Sequence, residues 1–254
     1  MEGLQSGGKH LNKPVITKVK VKVLRKQGLF TLEKTMIITQ RLSDEELIRG
    51  IYNAAQEYKM LIGKSYLIIG KNKKSPYFWF ECRFEKKQFM HLLGIKSVSL
   101  SADQFFDKCD EYNCGIGSGI TISECTPSRN HNRLTINQKC SCAKDMLHII
   151  DAKYMKVGIK DKISRYVDFN YAYGSEAVLG FRKEYNNPSF PVTLIPKSID
   201  EFSSDKYRVM FVLEKNIDEE LYRKVIVEIK KGIFVEHIDG FPDDLAKKIE
   251  AKNL

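Results

Sequence analysis

The sequence lacks any apolar run that approaches the roughly 18 residues a membrane-spanning helix needs. Its first residues, Met1 to His10, contain no apolar core of the kind that a secretion signal carries. Internal repeats and low-complexity tracts are absent as well. With 43% hydrophobic and 11% aromatic residues in a chain of 254, the composition is that of an ordinary globular protein. We therefore expect a soluble, cytoplasmic protein with no membrane partner.

Acidic side chains are scarce at the start of the chain. Residues 1–42 contain nine Lys and Arg against two acidic residues, which accounts for +7 of the net charge of +10. A strongly basic balance favours polyanionic partners, so we expect nucleic acid, RNA above all, or a nucleoprotein complex.

Residues 15–26 alternate valine with lysine, which is the two-residue period of a half-buried strand. Gly28 then marks a turn before a second strand-like run, so residues 1–42 are predicted to form a basic β-hairpin. The nucleic-acid-binding lysines predicted here are Lys18, Lys20 and Lys22. A second interpretation stays open, in which these lysines only protect an exposed strand edge from aggregation.

The six cysteines do not show the spacing of a structural zinc site. Such sites usually contain two pairs of cysteines, each pair separated by two to four residues. Here Cys109 and Cys114 form one such pair, but a lone Cys125 and the Cys140-x-Cys142 pair follow, so a zinc site with His131 or His148 fits poorly. We read the cysteines as reduced thiols. The Gly-rich stretch 115–119 is not followed by a Walker lysine. No metal and no cofactor are therefore expected.

Periodicity and capping signals predict an α+β fold, with several helices packed on an antiparallel sheet. Ser43 and Ser101 each begin a capping box ahead of a helical apolar stripe. Further helices are predicted for 86–93, 143–154 and 243–249, and strands for 66–69, 77–84, 156–159, 177–182, 190–196 and 207–213. Residues 113–138 are read as irregular, and 218–229 as either helix or strand. The predicted organisation is a hairpin extension (1–42), an α+β domain (43–215) and a C-terminal extension ending in a helix (216–254).

The most informative titratable residue is His91, which follows three cations closely. Helical spacing places His91 away from the apolar stripe of Phe89, Leu92 and Leu93, on the side of Lys87. An imidazole titrates near neutrality, so it can move a proton while neighbouring cations hold a phosphate. An exposed histidine without a role is the open alternative.

Other polar side chains are candidate phosphate ligands. On the strand 77–84, Arg83 shares a face with Tyr77 and Trp79, which suits a stacked base beside a phosphate. A solvated Glu–Arg pair on the same face is the open alternative. The remaining candidates are Lys73, Lys74, Lys86, Lys87, Lys156, Lys160, Arg182, Lys183 and the hydroxyl of Thr193.

Five short motifs carry a family resemblance. They are Tyr66 to Ile69, Phe78 to Phe84, Phe89 to Ile95, Leu179 to Phe181 and Pro191 to Pro196. Together they resemble the phage-associated barnase/EndoU/colicin/RelE-like nucleases over about residues 44–215. The resemblance implies a compact domain of helices on an antiparallel sheet, found in prophages, mobile elements and toxin cassettes. It also implies RNA cleavage without a metal.

Metal-free RNA cleavage needs a base for the ribose 2′-hydroxyl, cations for the charge on phosphorus and an acid for the leaving oxygen. His91 is the candidate base or acid, Arg83 and Arg182 are the candidate phosphate clamps, and Thr193 is a candidate for orienting the phosphate. The chain departs from this pattern in one respect, because no second histidine occupies a matching place.

Three functional hypotheses follow. The first is a ribonuclease of toxin or phage type, for which an antitoxin or immunity protein would be a further partner. The second is a non-catalytic nucleic-acid or nucleoprotein binder from a mobile element, such as a regulator or an anti-CRISPR inhibitor of a host defence complex. The third is a scaffolding protein whose charge only confers solubility.

Overall fold

The computed structural model describes residues 43–73, 77–129, 131–146, 154–162 and 168–250, with the backbone alone for 144–146. All of these described residues belong to one compact unit. The predicted basic hairpin, with Lys18, Lys20 and Lys22, and the predicted ligand Lys74 lie outside the described residues. Among the described helices, none combines the length and apolarity needed to cross a bilayer.

The strands form one large sheet, and the predicted α+β class is confirmed. Its members are β1 (Lys64–Lys71), β2 (Phe78–Arg83), β5 (Lys156–Ile159), β6 (Tyr171–Gly174), β7 (Val178–Glu184), β8 (Asn187–Ile195), β9 (Lys206–Asn216) and β10 (Lys224–Glu228). Two short strands, β3 (Ile95–Lys96) and β4 (Thr126–Pro127), pair separately. All pairs within the large sheet are antiparallel except β2 with β8.

The long strand β9 organises the sheet. One edge of β9 pairs with β1, and the other pairs first with β5 and then with β10. Since the strand order runs β1-β2-β8-β7-β6-β5-β9-β10 and β1 also pairs with β9, seven strands form a closed ring of pairings. The result is that β1, β9 and β5 lie side by side.

The first face of the sheet packs against four helices. They are α1 (Asp44–Lys59), α2 (Lys86–Leu92), α3 (Ala102–Asn113) and α4 (Arg133–Met146). The capping boxes at Ser43 and Ser101 form as predicted, since each hydroxyl accepts from an N3 backbone N–H. The apolar faces of these helices pack against Tyr66, Phe80 and other residues on the first face, and together they form the main core. Burial of this apolar surface is the main stabilising contribution.

The second face is covered in part by the C-terminal region. Here α5 (Ile233–Ile238) contributes Phe234 and α6 (Asp243–Ala246) contributes Leu245 to a cluster with Leu67 and Phe211 of the sheet. Phe241, between the two helices, joins the same cluster. Because β1 has apolar contacts on both faces, its interior is buried without a break.

Several boundaries differ from the predictions. Helix α4 begins at Arg133, inside the region read as irregular, and 218–229 contains the strand β10. Strand β6 was not predicted, because its Tyr-Ala-Tyr-Gly sequence is short and lacks β-branched residues. The last predicted helix is shorter, and Ile249 instead bridges to Tyr222.

Candidate nucleic-acid interface

The side chain of His91 is exposed on α2, whereas Phe89 and Leu92 are buried, so its predicted orientation away from the apolar stripe is confirmed. Helix α2 begins after Glu85, whose backbone N–H donates to the Gln88 side chain at 2.6 Å. This cap fixes the start of α2 and therefore the direction in which His91 points.

Two of the cations that precede His91 in the sequence, Arg83 and Lys87, share the carboxylate of Glu85. Glu85 accepts from Arg83 Nε at 3.0 Å and from Lys87 Nζ at 2.7 Å. The hydrogen bond from Lys87, together with the charge of Arg83, lowers the pKa of Glu85, so this carboxylate stays ionised at neutral pH. A phosphate at Arg83 or Lys87 would have to compete with Glu85.

Two other predicted ligands near α2 and β7 also have partners. Lys86 Nζ lies 2.7 Å from Asp107 on α3. Arg182 is exposed on β7 and donates to the Asp168 carbonyl at 3.1 Å. Since Arg182 pairs with Phe190 on β8, and Cys82 pairs with Ser189, β8 lies between Arg83 and Arg182. The two arginines are therefore about two strand spacings apart, roughly 10 Å.

Thr193 is only 3% exposed. It pairs with Gly180 across β7 and β8, and the ring of Phe169 lies over that glycine. Because Thr193 is buried, its hydroxyl does not reach a phosphate at the surface, contrary to its predicted role.

Lys160 lines a concavity of about 590 Å³ together with Lys162, Lys183 and two aspartates. Lys160 Nζ lies 3.2 Å from Asp168, and Asp161 accepts from the Ser204 backbone N–H. This concavity therefore mixes both signs of charge.

The interpretation of Tyr77 and Trp79 as base-stacking rings beside Arg83 is wrong, because the C-terminal helices cover that face. Both rings pack in the second-face core. Lys248 lies over the Trp79 ring and also pairs with Glu81 at 2.7 Å.

A second concavity is strongly basic, and we call it the cationic groove. It encloses about 750 Å³ on the second face of the sheet. Its lining residues are Lys71, Asn72, Lys73, Tyr154, Lys156, Lys206, Arg208 and Met210. Five of these carry positive charge, and none of the described lining residues is acidic.

Strand register places three of these cations in a row. Arg208 on β9 is paired with Lys71 of β1 on one side and with Lys156 of β5 on the other. Neighbouring strands lie about 4.8 Å apart, and residues opposite each other project from the same face. Like charges directly opposite destabilise a sheet. The row Lys71–Arg208–Lys156 therefore costs stability in the absence of an anion.

In the described part of the chain, one of the five groove cations is paired with a carboxylate. Lys206 Nζ lies 2.7 Å from Asp200, and this hydrogen bond lowers the pKa of Asp200. Lys71, Lys73, Lys156 and Arg208 have no ion pair with any carboxylate in the described part of the chain.

Tyr154 lines the groove and is 68% exposed. The guanidinium carbon of Arg208 lies 5.2 Å from its ring centroid, a cation–π contact. Its backbone φ is +73°, in the left-handed region that a bulky residue rarely adopts.

One imidazole is connected to the groove through two contacts. The Tyr77 hydroxyl meets His237 Nδ1, and Lys71 Nζ lies 3.4 Å from the same hydroxyl. Lys71 also sits over the Tyr77 ring at 4.5 Å. His237, Tyr77 and Lys71 thus form a continuous polar path that ends in the groove.

Burial lowers the pKa of two titratable groups on the first face of the sheet. Lys139 is 3% exposed, and burial lowers its pKa to about 8. His131 accepts from or donates to the Ser128 hydroxyl at 2.7 Å, and burial, followed by the charge of Lys139, lowers its pKa. Neither Lys139 nor His131 lines the cationic groove.

The sequence-based site residues are therefore not gathered in one place. Lys73 lies in the cationic groove, and Lys156, a secondary candidate, joins it there. Sequence reasoning missed Lys206 and Arg208. Their alternation with Tyr207 and Val209 along β9 was a usable signal, since positions of one parity face the solvent.

Neither the curated proteins nor the solved structures compared with this chain gave a match. A protein-family comparison did, over most of the chain. The model of the phage-Barnase-EndoU-ColicinE5/D-RelE like nuclease4 family matches residues 50–231, which include every large-sheet strand and helices α2, α3 and α4. The chain belongs to this nuclease family.

Proposed function

We propose that the protein is a metal-independent endoribonuclease that binds the RNA backbone in the cationic groove. The observation that carries this proposal is the row Lys71–Arg208–Lys156, whose mutual repulsion a phosphate backbone would relieve. Membership of a nuclease family supplies the type of substrate.

The proposed chemistry is attack of the ribose 2′-hydroxyl on the adjacent phosphorus. A base removes the 2′-hydroxyl proton, cations stabilise the charge that develops on the phosphoryl oxygens, and an acid protonates the leaving 5′-oxygen. Lys71 and Arg208 are positioned to stabilise that charge, since both line the groove.

Two histidines are candidates for proton transfer. His91 is the candidate from the sequence, and it is exposed, but the cations beside it are paired with Glu85. His237 is the candidate from the geometry, because Tyr77 and Lys71 connect it to the groove. In this second arrangement the Tyr77 hydroxyl accepts the proton of the ribose 2′-hydroxyl and passes its own proton to His237 Nδ1. The same path run in reverse delivers that proton to the leaving 5′-oxygen.

The experiment uses the purified full-length protein and end-labelled RNA in the presence of a chelator. We expect cleavage products that end in 2′,3′-cyclic phosphate, and no cleavage of the same sequence made with 2′-O-methyl ribose. RNA that stays intact from pH 5 to pH 8 would overturn the proposal.

Paired variants then identify the acid–base group. If His237 transfers the proton, His237→Gln lowers the cleavage rate by about a hundredfold or more, while His91→Gln leaves it nearly unchanged. The reverse result assigns the role to His91. RNA binding by both variants, measured with the uncleavable RNA, serves as the control for folding.

A second candidate function is non-catalytic binding of nucleic acid or of a nucleoprotein complex. It is favoured by the pairing of Arg83 and Lys87 with Glu85, which leaves the predicted clamp beside His91 occupied. This candidate predicts salt-sensitive binding with no cleavage at any pH. The partner of such a binder would be sought among host defence complexes. The partner of a ribonuclease toxin would instead be an antitoxin or immunity protein.

A further inference from the structure

We propose that Tyr154, backed by Arg208, is a base-stacking platform that makes the cationic groove selective for single-stranded nucleic acid. This inference rests on the proposed function, because it concerns the same groove. It adds the substrate class and the residue that would select it.

The geometry of Tyr154 is that of a ring with one face occupied. Arg208 lies over the ring at 5.2 Å, yet Tyr154 is 68% exposed. The exposed part of the ring is therefore available to a second planar group. Aromatic rings in cationic grooves stack on unpaired bases of any sequence, because every base has a π-face.

The backbone of Tyr154 is a second observation. A φ of +73° costs a non-glycine residue free energy, and the cost is largest for bulky side chains. Glycine would remove this cost, and packing does not explain the tyrosine, since its ring is mostly exposed. A tyrosine at this strained position favours a role for the ring outside the folded core.

The position of Tyr154 beside the cation row links the base to the backbone. Lys156 and Arg208 of the row both line the groove with Tyr154. A strand whose phosphates lie on the row thus brings an unpaired base to the ring. In a duplex the bases are stacked on one another and cannot reach it, although the phosphates can still contact the lysines.

The chain offers a matched control ring. Tyr185 is 87% exposed at the turn between β7 and β8, and it lines neither concavity of the described structure. Removing the Tyr185 ring therefore deletes an exposed aromatic side chain of the same size and leaves the cationic groove unchanged.

The test measures binding of uncleavable 2′-O-methyl RNA, as a single strand and as a duplex of the same sequence, by full-length wild type, Tyr154→Gly, Tyr154→Phe and Tyr185→Gly. We expect Tyr154→Gly to weaken single-strand binding by about fivefold to a hundredfold and duplex binding by less than about twofold. Tyr154→Phe and Tyr185→Gly should bind like wild type. The Tm of Tyr154→Gly should equal or exceed that of wild type, which excludes unfolding as the cause.

Two results would overturn the inference in distinguishable ways. If wild type binds RNA but Tyr154→Gly weakens single-strand and duplex binding equally, or weakens neither, the platform is absent while the proposed groove stands. If wild type binds neither form even at low salt, the proposed function and the platform fail together.

Discussion

Neutralising one end of the cation row, by Lys156→Gln, tests both the stability and the binding that we assign to the groove. Lys156 is directly opposite Arg208 and has no carboxylate within ion-pair distance in the described structure. Removing its charge relieves one cross-strand repulsion, which contributes about 0.2–1 kcal/mol. The variant also loses the attraction between Lys156 and Asp200, which offsets part of this gain. That attraction is weak, because Lys156 contributes less than Lys206 to lowering the pKa of Asp200.

The effect on binding has the opposite sign, because the variant loses one cation that would contact a phosphate. Within the described part of the chain, four groove cations have no carboxylate at ion-pair distance: Lys71, Lys73, Lys156 and Arg208. If each neutralises one phosphate of a single strand, log K falls with log salt at a slope of about −2.8, and the variant has about −2.1. Between 50 and 200 mM salt, wild type then loses about fiftyfold in affinity and Lys156→Gln about twentyfold.

The assay is fluorescence anisotropy of uncleavable single-stranded RNA across that salt range, with urea unfolding in parallel. Lys96→Gln is the matched control, because Lys96 is exposed on β3 and does not line the groove. The reasoning is refuted if Lys156→Gln keeps the wild-type salt slope, or if Lys96→Gln lowers the slope as much. A loss of stability in Lys156→Gln would refute the repulsion within the row.

Three further predictions concern the surrounding structure. Glu85→Gln should lower the free energy of unfolding by roughly 0.5–1 kcal/mol at neutral pH. Since the folded pKa of Glu85 lies below its ordinary value of 4.5, this difference should be complete above about pH 4.5 and shrink as the pH falls further, in urea titrations at each pH. Gly70→Ala should destabilise by about 1–3 kcal/mol, because its Cβ would lie 2.8 Å from Tyr207 and Val157 side-chain atoms. Gly50→Ala should stabilise by about 0.5–1 kcal/mol, since a helical Cβ there meets only Cys140 at 3.6 Å; equal effects of the two alanines on the urea midpoint would contradict both accounts.

The helices and most strands could be predicted because their signals are local. The Ser43 and Ser101 capping boxes each need a residue only three positions away. The alternation of Phe78, Phe80 and Cys82 with Trp79 and Glu81 likewise reports the two faces of β2 without any knowledge of its neighbours.

The cationic groove could not be predicted in the same way, because it depends on which strands pair. Lys71, Lys156 and Arg208 are far apart in the sequence, and only the register of β1 and β5 on β9 places them in one row. The covering of Trp79 by α5 and α6 is another long-range contact that alternation does not encode. His91 attracted attention because its neighbours in sequence are cations, but Glu85, also local, pairs with two of them.

Photo-crosslinking tests the central claim, that the groove is where RNA binds, most directly. Single-stranded RNA containing 4-thiouridine is crosslinked to the full-length protein, and the attached peptides are mapped by mass spectrometry. We predict crosslinks in residues 71–73, 154–156 and 206–210, which line the groove. Crosslinks confined to residues 83–93, around His91, would contradict the account.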